Sequence, residues 1–122
     1  MSALRRLGEV SRAYELAADQ YRDIAIKAAE AEAAHKVARA KAILQYKASE
    51  TERISHAEAE TRAEADDRIA GLYLERVITA AKADAHREKL RQLREQVATG
   101  RTAVASEREI DRIHADGLSG AA

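Results

Sequence analysis

Twelve positions, Leu7, Val10, Tyr14, Ala17, Tyr21, Ile24, Ala28, Ala31, His35, Ala38, Ala42 and Gln45, advance along the chain in alternating steps of three and four. That is the a/d spacing of a heptad, which draws a single narrow stripe down an α-helix. No proline interrupts the stretch, and Gly8 is a tolerated weak point. A stripe this long cannot be covered by its own helix, so it must face another one. The pattern predicts a first helix from Ser2 or Ala3 to about Ala48. A second apolar line, Ala33, Val37, Ala40, Leu44 and Ala48, joins it in the later half, as expected of a helix with two neighbours.

The periodicity breaks at Ser49. Ser49-Glu-Thr-Glu52 and Ser55-His-Ala-Glu58 both have capping-box spacing, with a hydroxyl for an orphan amide and a carboxylate three residues on. Two such starts in an acid-rich segment predict a turn and a short connecting helix ending near residue 64. A second long helix is expected from about Glu64 to Ala98. Ile69, Leu72, Leu74, Val77, Ile78 and Ala81 form its broad apolar face, and Leu90, Leu93 and Val97 continue it. Thr99-Gly100 reads as a C-cap, since glycine adopts the left-handed conformation freely. A short helix from about Thr102 to Ile113 follows, then a flexible tail over 117–122.

The expected fold class is therefore all-α: a long antiparallel helical hairpin or coiled coil over residues 1–116, with a short connecting helix and a short C-terminal helix. Two helices alone leave the first stripe half covered, so dimerisation is the expected completion.

Composition sharpens this picture. More than half of the apolar residues are alanine, 29 in all, and the chain has no proline, cysteine, tryptophan or phenylalanine. Thin contacts between alanine-rich helices fit better than a thick core. The absence of cysteine removes disulfides and thiolate metal sites and agrees with a reducing compartment. No apolar run approaches the roughly 20 residues that span a bilayer, and the N-terminus lacks a signal-peptide pattern. The expected location is cytoplasmic, with no membrane partner.

The 21 basic and 21 acidic residues balance, yet they are spread unevenly. Residues 49–70 hold three basic and seven acidic groups, so an acidic bridge joins two slightly basic arms. The net basic surface of a strong nonspecific nucleic-acid binder is absent at the level of the whole chain.

Candidate chemistry is sparse. Glu32-x-x-His35 has the spacing of di-metal carboxylate bundles, and Asp111-x-x-His114 repeats it with aspartate. A complete site needs two such pairs and two further inward glutamates, so no metal is assigned. His35 lies on the heptad stripe, where a lone polar residue more often sets register. His56 and His86 sit in charged surroundings and read as solvated. No catalytic triad order, phosphate loop or His-Glu-x-x-His occurs. No enzyme activity, cofactor or small-molecule substrate is expected.

Contact with other macromolecules remains. The candidate protein interface comprises Leu7, Val10, Tyr14, Tyr21, Ile24, His35, Ile69, Leu72 and Val77, facing a second copy, another protein or both. Tyr14 and Tyr21 suit a wide bundle or an interface with polar edges, because their hydroxyls need partners or water. Lys36 and Arg39 lie in a stretch without acids, and Arg87, Arg91 and Arg94 follow i, i+4, i+7. These five could contact phosphates, but a solvated face with pairs such as Arg91 to Glu95 is the favoured reading.

The run from Ala34 to Leu44, the acidic connector and the closing segment from Leu93 to Glu109 resemble small all-helical proteins encoded by tailed bacteriophages of Gram-positive hosts, especially actinobacteria. In that group a Lys/Arg-Ala-rich first helix ends in a bulky apolar pair, here Ile43-Leu44. A leucine-arginine stretch closes the second helix and precedes an Arg-x-Glu-like element. Residues 1–29 extend beyond the pattern, and its usual bulky aromatic is replaced by Tyr46 or lost. The resemblance implies a phage accessory protein acting in the host cytoplasm, with no catalytic residues to carry over. The leading expectation is a non-enzymatic helical interaction protein. The alternatives are a nucleic-acid-binding factor of phage recombination or replication, and a virion assembly protein of scaffolding or tail-assembly type.

Overall fold

The computed structural model describes residues 2–49 and 53–121 and is all-α. Three helices, α1 (Ala3–Ser49), α2 (His56–Ala65) and α3 (Asp67–Ala121), account for all described residues except Ser2, Arg53, Ile54, Ser55 and Asp66. There is no strand among the described residues, and no helix is long and apolar enough to cross a membrane.

The chain separates into two compact units. One joins Met1–Gln20 to His86–Ala122, and the other is Tyr21–Ala85. α1 and α3 each contribute residues to both units.

In the first unit, α1 and α3 run antiparallel: Ala3 meets Glu107, whereas Leu7 meets Gly100. The start of α1 is held twice. Ser2 Oγ accepts from Arg5 N at 3.2 Å, and the Glu107 carboxylate accepts from Ala3 N at 3.1 Å. Both satisfy amides that the first helical turn leaves without a partner. Gly100 is not a C-cap. No glycine has positive φ, and α3 continues through this position to Ala121 without a break. The segment from 102 to 113, expected as a separate helix, is accordingly part of one continuous helix. What Gly100 provides is room: a Cβ built on it would lie 3.1 Å from Leu7 Cδ1. A side chain there would press into the apolar stripe of α1.

The second unit contains α2. Ala42, Ile43, Ala59, Ala63 and Ile69 form its core, with Ala38, Tyr46 and Ile54 packed around them. Ala59 and Ala63, one turn apart, are wholly buried. Their small side chains let α2 lie flush on α1. Ser55 is the N-cap of α2, its hydroxyl accepting from Glu58 N at 3.1 Å. Only this half of the capping box forms, since the Glu58 carboxylate accepts from Arg62 instead. The other expected capping box, Ser49 to Glu52, lies outside the described residues.

A single residue, Asp66, separates α2 from α3. Its extended backbone ends α2, with its amide donating to Ala63 O at 3.2 Å. Its Oδ1 accepts from Arg68 N at 2.9 Å and so caps α3. Its Oδ2 accepts from the Tyr46 hydroxyl at 3.3 Å, which ties the junction to α1. Burial, and then the charge of Asp66, push the Tyr46 phenol above its ordinary range.

α3 carries a stripe that complements the one on α1. Its most buried positions are Ile69, Leu72, Arg76, Thr79, Ala83, His86, Leu90, Leu93, Val97, Gly100 and Val104, again in alternating steps of three and four. On α1, eleven of the twelve expected stripe positions are buried or half-buried. Gln45 is the exception; it is exposed, and Tyr46 turns inward in its place. Ala3 extends the stripe toward the N-terminus.

Two stability measurements follow. Gly71 has open space around it and sits inside a helix, so Gly71→Ala should raise stability by about 0.5–1 kcal/mol. Gly100→Leu should cost about 1–3 kcal/mol, as overpacked contacts do. Urea unfolding followed by circular dichroism separates these opposite signs. In the same assay Asp66→Ala should cost about 1–2 kcal/mol through the lost cap, and Tyr46→Phe less.

Candidate functional site

Eight of the nine expected interface residues turn toward the chain's own helices. Leu7 and Val10 share a cleft with Gln96, Thr99 and Gly100 of α3, and Tyr14 shares one with Arg94, Val97 and Arg101. In the other unit, Ile24 and Leu72 line one cleft, while His35 and Ile69 line another. Tyr21 is half-buried. The helix that the α1 stripe requires is therefore α3 of the same chain. Val77 alone is exposed, at 45%.

The same geometry settles the surroundings of His35. This residue is 7% exposed, and its Nδ1 lies 3.1 Å from an Arg76 guanidinium nitrogen. A guanidinium only donates, so Nδ1 accepts and the imidazole is neutral with its proton on Nε2. Arg76 also donates to Glu32 Oε1 at 3.4 Å, and Lys36 pairs with the same carboxylate at 2.8 Å. Glu32 and His35, which have metal-ligand spacing, thus both hold a guanidinium from α3. Burial first, then the charges of Arg76 and Arg39, lower the pKa of His35. The Lys36 hydrogen bond chiefly holds the Glu32 carboxyl below the usual range. The Tyr73 ring leans on His35, with centroids 5.4 Å apart and planes at 57°.

The five candidate phosphate-contacting residues are divided between the units, Lys36 and Arg39 in one and Arg87, Arg91 and Arg94 in the other. Lys36, Arg39 and Arg91 are held by carboxylates, and Arg87 is also engaged. Lys36 pairs with Glu32, as described, and Arg39 donates to Glu64 at 3.2 Å and lies 3.6 Å from Glu60. Arg91 is clamped between Glu88, whose pKa it lowers, and Glu95 at 2.6 Å. Arg94 has no ion pair among the described residues. The pair read from the sequence, Arg91 to Glu95, is present as an i, i+4 contact.

A different surface stands out. In the Tyr21–Ala85 unit, Tyr73, Leu74, Val77 and Ile78 are 55%, 58%, 45% and 40% exposed. At about 100° per residue, Leu74, Val77, Ile78 and Ala81 fall on the side of α3 opposite Ile69, Leu72, Arg76 and Thr79. What looks in the sequence like one broad face is two stripes back to back. α1 has a matching second line, since Ile26, Val37 and Leu44 are also exposed. The line expected to pack on a second neighbour is thus uncovered in the chain alone. Four charged side chains, Lys27, Glu30, Glu75 and Lys82, share a cleft between α1 and α3 without ion pairs among the described residues.

The Arg76 cluster generates a pH dependence. His35 titrates lower in the folded chain than its ordinary value of about 6.5, so the unfolded chain binds more protons as pH falls through that value. Its contribution is full above about pH 6.5 and is lost on acidification, with a slope of at most about 1.4 kcal/mol per pH unit. Glu32, shifted downward, acts in a separate window below about pH 4.3. Urea midpoints measured from about pH 7 to about pH 5 should fall for the parent and stay flatter for His35→Gln.

No protein-family model, no curated protein and no solved structure matches this chain.

Proposed function

We propose that this all-α chain is a non-enzymatic interaction protein that docks on another helix through the outer face of α3, around Leu74, Val77 and Ile78. One observation carries the reading. These three residues lie within about two turns, each at least 40% exposed, on a helix whose opposite face is already used. Single exposed apolar residues are ordinary, whereas a contiguous run on a helix that packs elsewhere marks a contact surface.

The inner stripes are the less suitable docking surface, because they already face each other. Substitutions at Tyr21 or Leu72 would therefore test folding before they tested partner capture. Completion by a further helix, whether from a second copy or another protein, is part of the same reading. The phage accessory role rests on the resemblance of residues 30–110 alone. Phosphate contact is less favoured, since Lys36, Arg39 and Arg91 would first have to leave carboxylates. A virion assembly role would use the same docking face.

Site-specific photo-crosslinking tests the reading. A benzoylphenylalanine in place of Val77, introduced in cells that make the protein, should give discrete adducts. The same probe at Gln92, an exposed polar position on α3, should give none. Equal labelling from both positions, or none from Val77, removes the proposal.

A further inference from the structure

The outer stripe of α3 has a register of its own. From Leu74 to Ala85 its large members, Leu74, Val77 and Ile78, come first and its small members, Ala81 and Ala85, follow. A stripe graded in this way is complemented by its own reverse, because the large side chains away from the centre then meet small ones.

The flanking groups follow the same rule. Glu75 and Lys82 are seven residues apart, so they occupy the same flank of the stripe, two turns from each other. Neither has an ion pair among the described residues. When two copies of a helix pair antiparallel about a two-fold axis, a given flank meets the same flank of its partner. An axis near Ile78 and Thr79 then sets Glu75 against Lys82 of the second copy, and Lys82 against its Glu75. On the other flank, that axis brings Tyr73 opposite Asp84. Between the flanks, Leu74 falls beside Ala85, Val77 beside Ala81, and Ile78 beside its own counterpart. One axis satisfies both flanks and the apolar centre.

We infer that the outer face of α3 is an isologous homodimer interface, with two α3 helices antiparallel and a reciprocal Glu75–Lys82 ion pair on each side of the axis. This rests on the reading that the face docks a helix, and it names that helix as α3 of a second copy. The outer line of α1 is a poorer candidate for self-pairing. Its later half, from Lys36 to Lys47, contains no acid, so two copies would bring like charges together.

Light scattering after gel filtration, over a wide concentration range, should report a dimer. Ile78→Glu should reduce it to a monomer with unchanged helical circular dichroism, since Ile78 lies away from the inner stripe. Glu75→Lys and Lys82→Glu alone should each raise the dissociation constant, on the order of three- to thirty-fold, by placing like charges opposite one another. The double variant Glu75→Lys/Lys82→Glu should return to within about three-fold of the parent, because the pair is restored with its polarity reversed. A monomer at every concentration overturns self-pairing, as does a dimer indifferent to Ile78→Glu. A double variant as weak as the singles overturns the antiparallel register. If the parent is a monomer yet Val77 still gives discrete adducts, the face docks a foreign helix; if it gives none, the docking reading falls as well.

Discussion

Close approach between helices is the constraint on which this structure depends. Five of the twelve stripe positions on α1 are alanine, and the only described residues with no exposed surface are Ala59 and Ala63. Dispersion and burial are then gained only when backbones come near one another, because small side chains have short reach. Gly100 against Leu7 and the two α2 alanines against Ile43 are the places where this is visible. Larger residues at those points would hold the helices apart and expose their neighbours.

Such thin contacts specify register weakly, since one alanine layer resembles the next. Polar groups supply the missing specificity. Arg76 occupies a stripe position and donates to both His35 and Glu32. Asp66 fixes the other end of that unit, being at once the stop of α2, the cap of α3 and the acceptor for Tyr46. A slip by one turn would leave a buried imidazole facing no donor and a phenol without its carboxylate. Unpaired buried polar groups cost more than a displaced alanine, so these contacts select the alignment.

The same economy shapes the surface. With its inner stripe closed by α1, the α3 segment of the Tyr21–Ala85 unit still displays Leu74, Val77 and Ile78 outward. A chain in which alanine makes up more than half of the apolar residues places Leu74, Val77 and Ile78 within about two turns on a solvent-facing side. Folding of the chain does not account for that placement.

Much of this was legible in the sequence. The heptad spacing from Leu7 to Ala42 specified the inner side of α1, because a period near 3.5 admits only one helical stripe. Ser55 announced the start of α2 through its distance from Glu58. The segment from Ile69 to Ala81 was legible as apolar but not as two faces, since its inner and outer residues are interleaved. Gly100 was read as a terminator because glycine's freedom of φ is a local property; its actual role depends on Leu7, which is 93 positions away. Arg76 carried no signal, as a charged residue on an apolar helix normally points to water. Local periodicity thus determined that the chain is helical and which side of α1 turns inward, while tertiary structure decided that the α1 stripe closes on α3, that Gly100 is a point of contact within a continuous helix, and that Arg76 faces inward while Val77 is out. The physical reason is that side-chain spacing is set by the helix itself, whereas burial is set by what lies across from it.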